Sequence, residues 1–420
     1  MIRQNLKSIE AVVESLEKGR IRGQASLIET IGNVITALEQ ELGFRARPPR
    51  KRVSALAERL ASKLESLIPN QGNKLDPRFL HNCLSRLYQA MLQREKQLCH
   101  ARAFHELLPP DAPLTECADS WIFLAKACYW SDDQQGAVDY QRRALDLLDQ
   151  ARERGKLSEE DEKGYNPAYT VWAFRYSQNT CAWERADETF NWALGRARAW
   201  NDSGALCSAL LLYAESMMFR GDWERCERLG DQCVQAALAL PGGPDSDYPF
   251  WIWGRALVHT GRAEKALPVL GQAVDLAENI GDAVGLSEAL ASQAEAFLAL
   301  GRNEDALAVA AKSLRVAKYA GLGVNLAQVK VWQAWIEMQI DSSSALRNLA
   351  PLHQSLADFE KAGMRSGWAC ACAALGHALL LSGRREMAGH YLERALQAFH
   401  EWNMPWHEER TRASMKLPAR

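Results

Sequence analysis

The chain has 420 residues, 47% of them hydrophobic and 24% charged, enough to bury a large core in one long or two compact domains. Fifty Lys and Arg against 52 Asp and Glu leave a net charge of −2, which speaks against a dedicated nucleic-acid protein but allows a local basic patch. The opening MIRQNLKSIE has no apolar run and no stretch approaches ~18 uninterrupted apolar residues, so the expectation is a cytoplasmic chain with neither signal peptide nor membrane span.

Ten cysteines occur without metal-ligand spacing, apart from the pair Cys370 and Cys372, and read as reduced packing residues. None of the fourteen tryptophans precedes Trp121. That asymmetry suggests two regions with different jobs.

Residues 1–43 read as two helices joined at Gly19–Gly23. Ile2, Leu6, Ile9, Val13 and Leu16 form a narrow apolar seam, and Leu27, Ile31, Val34 and Leu38 form a second. A third helix over 53–68 carries Leu56, Leu60, Leu64 and Leu67 on one side, and Pro69 stops it. Such seams close a small bundle internally, the simpler reading, or pair with another chain, which would make residues 1–70 a self-association module. Between the second and third helices lies FRARPPRKR (44–52), where Arg45, Arg47, Arg50, Lys51 and Arg52 flank two prolines. It reads first as a solvated, extended linker. The sharper alternative is an anionic contact, to nucleic acid or lipid headgroups.

Residues 77–107 read as one long connecting helix, with Asp76 as N-cap, Pro77 in the first turn and Leu80, Leu84, Leu87, Met91 and Leu98 along one face. The N-terminal region (1–70, then 71–112) ends near Pro109–Pro113.

From residue 113 to 402 a helix–turn–helix unit recurs. In its clearest copy, Gly254–Val274, a small residue (Gly254) precedes a turn glycine (Gly261), followed by Ala266, Leu270 and Ala273. The equivalents of Ala266 are Ala137, Ala186, Cys226, Ala306, Leu346 and Ala388. The turns at Gly221, Gly301 and Gly383 match that at Gly261, and Ala214, Ala294 and Gly376 match Gly254. Close helix pairs need small residues at the crossing and a tight turn favours Gly. The first interval carries a charged insert, Arg152–Lys163, and the Leu346 copy lacks both glycine and alanine.

These residues resemble the tetratricopeptide repeat (TPR) in a long form of about 40 residues, like the arrays of bacterial signal-transducing regulators and of TPR adaptors that bind peptides. The resemblance implies an all-α, right-handed solenoid of about seven helix pairs behind an N-terminal helical module. The phosphate-binding GxxxxGK[ST] loop and DNA-binding segment of those regulators are missing, so their output functions do not carry over.

No catalytic residues, cofactor or metal site are expected. His400-Glu401 and His407-Glu408 lack the second histidine of HExxH, the Cys99-His100-His105 spacing does not repeat on one helix face, and neither GxSxG nor GxGxxG is present. Binding has the better case. In a TPR array the first helix of each pair lines the concave face. The position after each small residue then points inward, giving Lys126, Arg175, Glu215, Arg255, Glu295, Trp335 and His377. Around them fall Tyr129, Trp130, Asn179, Phe219, Trp251 and His259. Cations there suit carboxylates of an acidic or C-terminal peptide, and the aromatics suit anchors. Trp183 and Trp223 read as packing residues. The expectation is a non-catalytic scaffold, adaptor or regulator holding a protein or peptide in its groove. A nucleic-acid-linked regulator using the basic segment is the first rival and an enzyme-complex subunit the second. Residues after Glu409 read as a disordered tail.

Overall fold

The computed structural model describes residues 2–18, 24–42, 51–68, 75–91, 93–244 and 246–416. Among them the chain is all helical, with no strand. It packs as two units, Met1–Lys156 and Leu157–Arg420. No helix among the described residues is long and apolar enough to cross a membrane.

The first unit contains α1 (Ile2–Glu17), α2 (Gln24–Leu42), α3 (Lys51–Leu67), α4 (Pro77–Ala90), α5 (Arg94–Glu106), α6 (Leu114–Trp130) and α7 (Gln134–Glu153). The apolar seams meet one another. Ile9, Val13, Leu16, Ile31, Val34, Leu38, Leu56, Leu60 and Leu64 form one buried cluster with Leu80, Leu84 and Leu87 of α4. Arg45, Arg47 and Arg50 lie outside the described residues, as do the side chains of Lys51 and Arg52.

The expected single helix over 77–107 is two helices. The N-terminal half starts as read, with Asp76 accepting from the Arg78 amide at 2.9 Å. The chain then turns after Ala90, Gln93 donating its amide to the Tyr88 carbonyl at 2.9 Å, and α5 folds back so that Ser85 donates to the Gln97 carbonyl at 3.1 Å. No glycine or proline marks this break. Two cores pull the stripe apart instead, Leu80, Leu84 and Leu87 joining the bundle while Leu98 packs beside Ala101, Leu124 and Cys128. Tertiary packing outweighs helix propensity here.

The second unit is a run of helix pairs: α8 (Glu159–Thr180) with α9 (Trp183–Ala199), α10 (Ser203–Arg220) with α11 (Trp223–Leu238), α12 (Tyr248–His259) with α13 (Ala263–Ile280), α14 (Ala283–Ala299) with α15 (Asn303–Ala320), α16 (Gly323–Ile340) with α17 (Ala345–Ala362), and α18 (Arg365–Leu381) with α19 (Arg385–Glu401). The pair α6 and α7 belongs to the first unit. The charged insert falls at the division between the units, partly as the end of α7 and partly as the start of α8, where Ser158 and Asp161 form a capping box.

The repeat chemistry accounts for the hairpins. A Cβ on Gly254 would stand 2.7 Å from Leu270 Cγ, and one on Gly376 would stand 2.6 Å from Leu392 Cγ. Both glycines are therefore required by close approach of the two helices. Gly261 turns the chain at φ +79. Two copies without that glycine keep the left-handed residue, at Asp132 (φ 59) and Cys181 (φ 56).

The weak copy is shifted. Leu346, expected at the buried anchor, is 60% exposed. Asn348, Leu352, Ser355 and Phe359 are buried at the spacing that Ala266, Leu270, Ala273 and Ala277 occupy in α13. A 3-10 turn, Ser342–Ser344, adds the two residues that shift the register of α17 while leaving α16 in phase.

The C-terminal segment is also ordered, against expectation. A last helix, α20 (Pro405–Met415), follows a turn in which Asn403 takes φ 51.

Candidate functional site

The inner wall of the second unit is built from the first helices of successive pairs, and their side chains enclose one basin. Met218 and Phe219 come from α10, Arg255 and His259 from α12, and Glu295 from α14. Gln328, Val331, Trp332 and Trp335 come from α16, and Cys370 and Ala373 from α18. Trp223 closes one side from α11 and Phe399 another from α19. The fourth wall is α20, through Trp406, His407, Arg410 and Thr411.

At the centre is Glu295. Arg255 Nη2 lies 3.2 Å from its carboxylate and His259 Nε2 lies 3.4 Å from it. Desolvation works to raise the Glu295 pKa, but Arg255, His259 and Arg410 outweigh it and hold the carboxyl down at about 2. Burial lowers the pKa of His259 despite Glu295, leaving its imidazole neutral at pH 7. The Arg255 guanidinium also lies over the Trp332 ring at 3.7 Å, and His259 stacks on Trp223 at 3.9 Å between centroids. Both partners of Glu295 are thus backed by an aromatic face, which for Arg255 strengthens the cation–π and ionic contacts by excluding water.

The same helices also carry a group of acids that do not line the basin. Glu215 on α10, Asp247 and Asp282 at the starts of α12 and α14, and Glu288 on α14 all have raised pKa values. Desolvation is the main cause for each, Glu215 rising to about 8 and Asp247 to about 7. Asp247 and Glu288 are raised further by the neighbouring acids. The donors to the group are the amides of Val284 and Gly285 for Asp282 and Asn325 Nδ2 for Glu288, all neutral. Among the described residues neither oxygen of the Asp247 side chain has a hydrogen-bond partner.

Of the residues expected to bind, Phe219, Arg255, His259 and Trp335 meet in the basin. His377 lies behind Trp335, stacked at 4.9 Å, and burial lowers its pKa to about 4. Glu215 is half-buried among the acids. Trp251 is taken into the helix core, fully buried, with its indole N–H donating to Ser292 Oγ at 2.9 Å. Arg175 and Asn179 are buried along α8 and do not line the basin. Lys126, Tyr129 and Trp130 belong to the first unit, on α6.

Trp183 packs as expected, fully buried. Trp223, given the same role, also walls the basin. Trp332 was missed because it lies three residues before Trp335, whereas the upstream position read in the other copies, such as Trp251 before Arg255, lies four before. Glu295 lay on the inward register, but its centrality depends on three side chains from two other helices. Trp406, His407 and Arg410 were missed because a polar segment after the last repeat carries no apolar periodicity to place it.

No family model and no curated protein matches the chain. Solved structures do share its fold. A Rap protein complexed with competence and sporulation factor superposes with a TM-score of 0.59 at 12% identity, over 90% of this chain and 98% of the other. NprR in complex with its cognate peptide NprX gives 0.56 at 14% identity, over 89% and 97%. The human IFIT1 dimer with m7Gppp-AAAA gives 0.50 at 13%, over 94% and 86%. At these identities the likeness is one of fold, and it makes the chain an all-α, TPR-like helical-repeat solenoid.

Proposed function

We propose that the chain is a non-catalytic regulator or adaptor whose second unit recognises a peptide in the basin around Glu295. The observation that carries this reading is the set of groups converging there: the Glu295 carboxylate with Arg255 and His259, and three indoles (Trp223, Trp332, Trp335) drawn from two helices. Aromatic anchors beside a few convergent polar groups are what peptide and small-ligand sites need. Among the fold neighbours, NprR is solved with its cognate peptide and the Rap protein with competence and sporulation factor, which supports the same use of the wall here.

The carboxylate that lines the basin, Glu295, already attracts the two cations Arg255 and Arg410, and so favours a cationic ligand over an acidic one. The acidic or C-terminal peptide expected from the sequence rested on Lys126, Arg175 and Arg255; here Arg255 already holds Glu295, Arg175 does not line the basin and Lys126 belongs to the first unit.

The test is affinity selection from a size-fractionated peptide extract of the source cells, read by mass spectrometry. Immobilised wild-type chain is expected to enrich peptides containing Lys or Arg, and Trp335→Ala to lose them. Equal enrichment by both, or enrichment of nucleic acid that falls steeply with salt, would overturn the reading.

A further inference from the structure

The basin already holds a peptide segment, and it belongs to this chain. Helix α20 does not look like a structural cap. Its buried side chains are Glu408, Thr411 and Ser414, all polar, where a cap that seals a solenoid end presents an apolar stripe. What α20 offers the basin is a set of recognition contacts. Trp406 stands edge-on to Trp223 and His259 at 5.3 and 5.2 Å between centroids. His407 Nε2 reaches the Phe219 carbonyl at 3.1 Å, and Arg410 lies over Trp335 at 4.4 Å. The approach is held by two further bonds, Trp183 Nε1 to the Trp402 carbonyl at 2.7 Å and Arg220 Nε to the Asn403 carbonyl at 3.3 Å.

The seat of Arg410 is poorly compensated. Among the described residues, the carboxylate that attracts it is Glu295, which Arg255 already pairs, and Arg255 repels it. Glu408 on the same helix is engaged by Arg412 and His400 instead. A buried cation that shares one counter-charge with another cation keeps a substantial desolvation cost. The turn before α20 has a non-glycine residue, Asn403, in the left-handed region, the kind of short connection that can absorb a rotation.

We propose that α20 is a tethered, displaceable occupant of the basin: it competes with the ligand, and the ligand presents an aromatic and a cation spaced as Trp406 and Arg410 are on one helical turn. This deepens the peptide-binding reading and rests on it for the identity of the competitor, but not for the competition between basin and helix. In the intact chain the site is closed, and binding requires α20 to leave.

The test uses a fluorescein-labelled peptide of residues 403–416 and fluorescence anisotropy. A chain truncated after Trp402 is expected to bind the peptide saturably, and the full chain at least tenfold more weakly. A peptide carrying Trp406→Ala and Arg410→Glu should not bind either. Equal binding to both chains, or none to a truncated chain whose helicity is unchanged, would overturn the proposal. Should truncation unfold the array, Arg410→Glu in the full chain decides. It is expected to raise hydrogen exchange across 405–415 at least tenfold, leave α16 and α18 protected, and open the chain to the labelled peptide. Exchange rising together in α18, α19 and α20 would make α20 an integral cap and overturn the proposal. The two readings separate cleanly: selected cationic peptides that bind the full and truncated chains equally would sink the competition alone. Probe binding to the truncated chain without any selected peptide would sink the peptide reading alone.

Discussion

The guanidinium of Arg410 lies 4.4 Å from the centre of the Trp335 ring. A residue of the last helix thereby covers one that repeat register alone had pointed into the groove. The far face of Trp335 rests on His377, so the indole is held between a cation and a neutral imidazole. Replacing Trp335 with Ala is expected to destabilise the second unit by about 3–5 kcal/mol, the range for losing a large buried aromatic. It should also loosen α20 selectively. Chemical denaturation gives the first quantity and hydrogen exchange over 405–415 the second.

Breaking the central ion pair should cost more than deleting it. Glu295→Gln leaves Arg255 buried, with Nε and Nη1 already lacking partners among the described residues, and is expected to cost about 3–5 kcal/mol. Converting Arg255 to Met and Glu295 to Leu together removes both charges and is expected to cost about 1 kcal/mol or less. A double-mutant cycle by urea denaturation measures the difference. Equal losses in the single and double variants would show that Glu295 does not balance Arg255.

Two acids should give the stability curve opposite slopes. Glu215 is raised to about 8. The native state therefore keeps a proton that the unfolded chain has lost, and its contribution is full at low pH and lost as pH rises towards 8. Glu295 is held at about 2, so its contribution is full above the ordinary carboxylate range and lost as pH falls towards 2. Glu215→Gln is expected to flatten the fall in Tm between pH 5 and 8.5 and to raise Tm at pH 8.5 by roughly 2–4 °C, the equivalent of about 1 kcal/mol. An unchanged slope would mean that Glu215 is solvated.

The repeat crossings make a sharper stability test. Ala in place of Gly254 gains about 1 kcal/mol of helix propensity, but its Cβ would meet Leu270 Cγ and Cδ2 at 2.7 Å. Overpacking of that kind costs about 1–3 kcal/mol, so the steric term wins and a net loss of about 1 kcal/mol is expected. Gly271, with nothing within 4 Å of its Cβ position, is the control: Ala there should stabilise. Thermal melts of the two variants settle the comparison.

These cases show which parts of the molecule were legible in the sequence. Gly254, Gly261, Ala266 and Ala273 carry local constraints, small crossings and a left-handed turn, and such constraints recur with the repeat. The hairpins could be read from them. The register of α17 could not, because the two added residues form a 3-10 turn of serines with no distinctive pattern and the anchor is an asparagine. The break after Ala90 escaped because long-range packing imposes it. For the basin, repeat register pointed to Phe219, Arg255, His259, Glu295 and Trp335, which the structure brings together. It also nominated Trp251, whose ring turns into the helix core to satisfy its N–H on Ser292. The part supplied by α20 was invisible, since a polar helix held by specific contacts has no periodic signature.

Whether the basin receives a peptide is read most directly by crosslinking from within it. Gln328 lines it from α16, and replacing it with the photo-crosslinker p-benzoylphenylalanine places a probe there. Photolysis of the purified chain, followed by mass spectrometry, is expected to give an internal adduct to residues of α20. Photolysis in the source cells should give, in addition, an adduct to a separate peptide carrying Lys or Arg, and Trp335→Ala should diminish it. Adducts to nucleic acid, or only the internal adduct in both settings, would contradict a peptide-binding role.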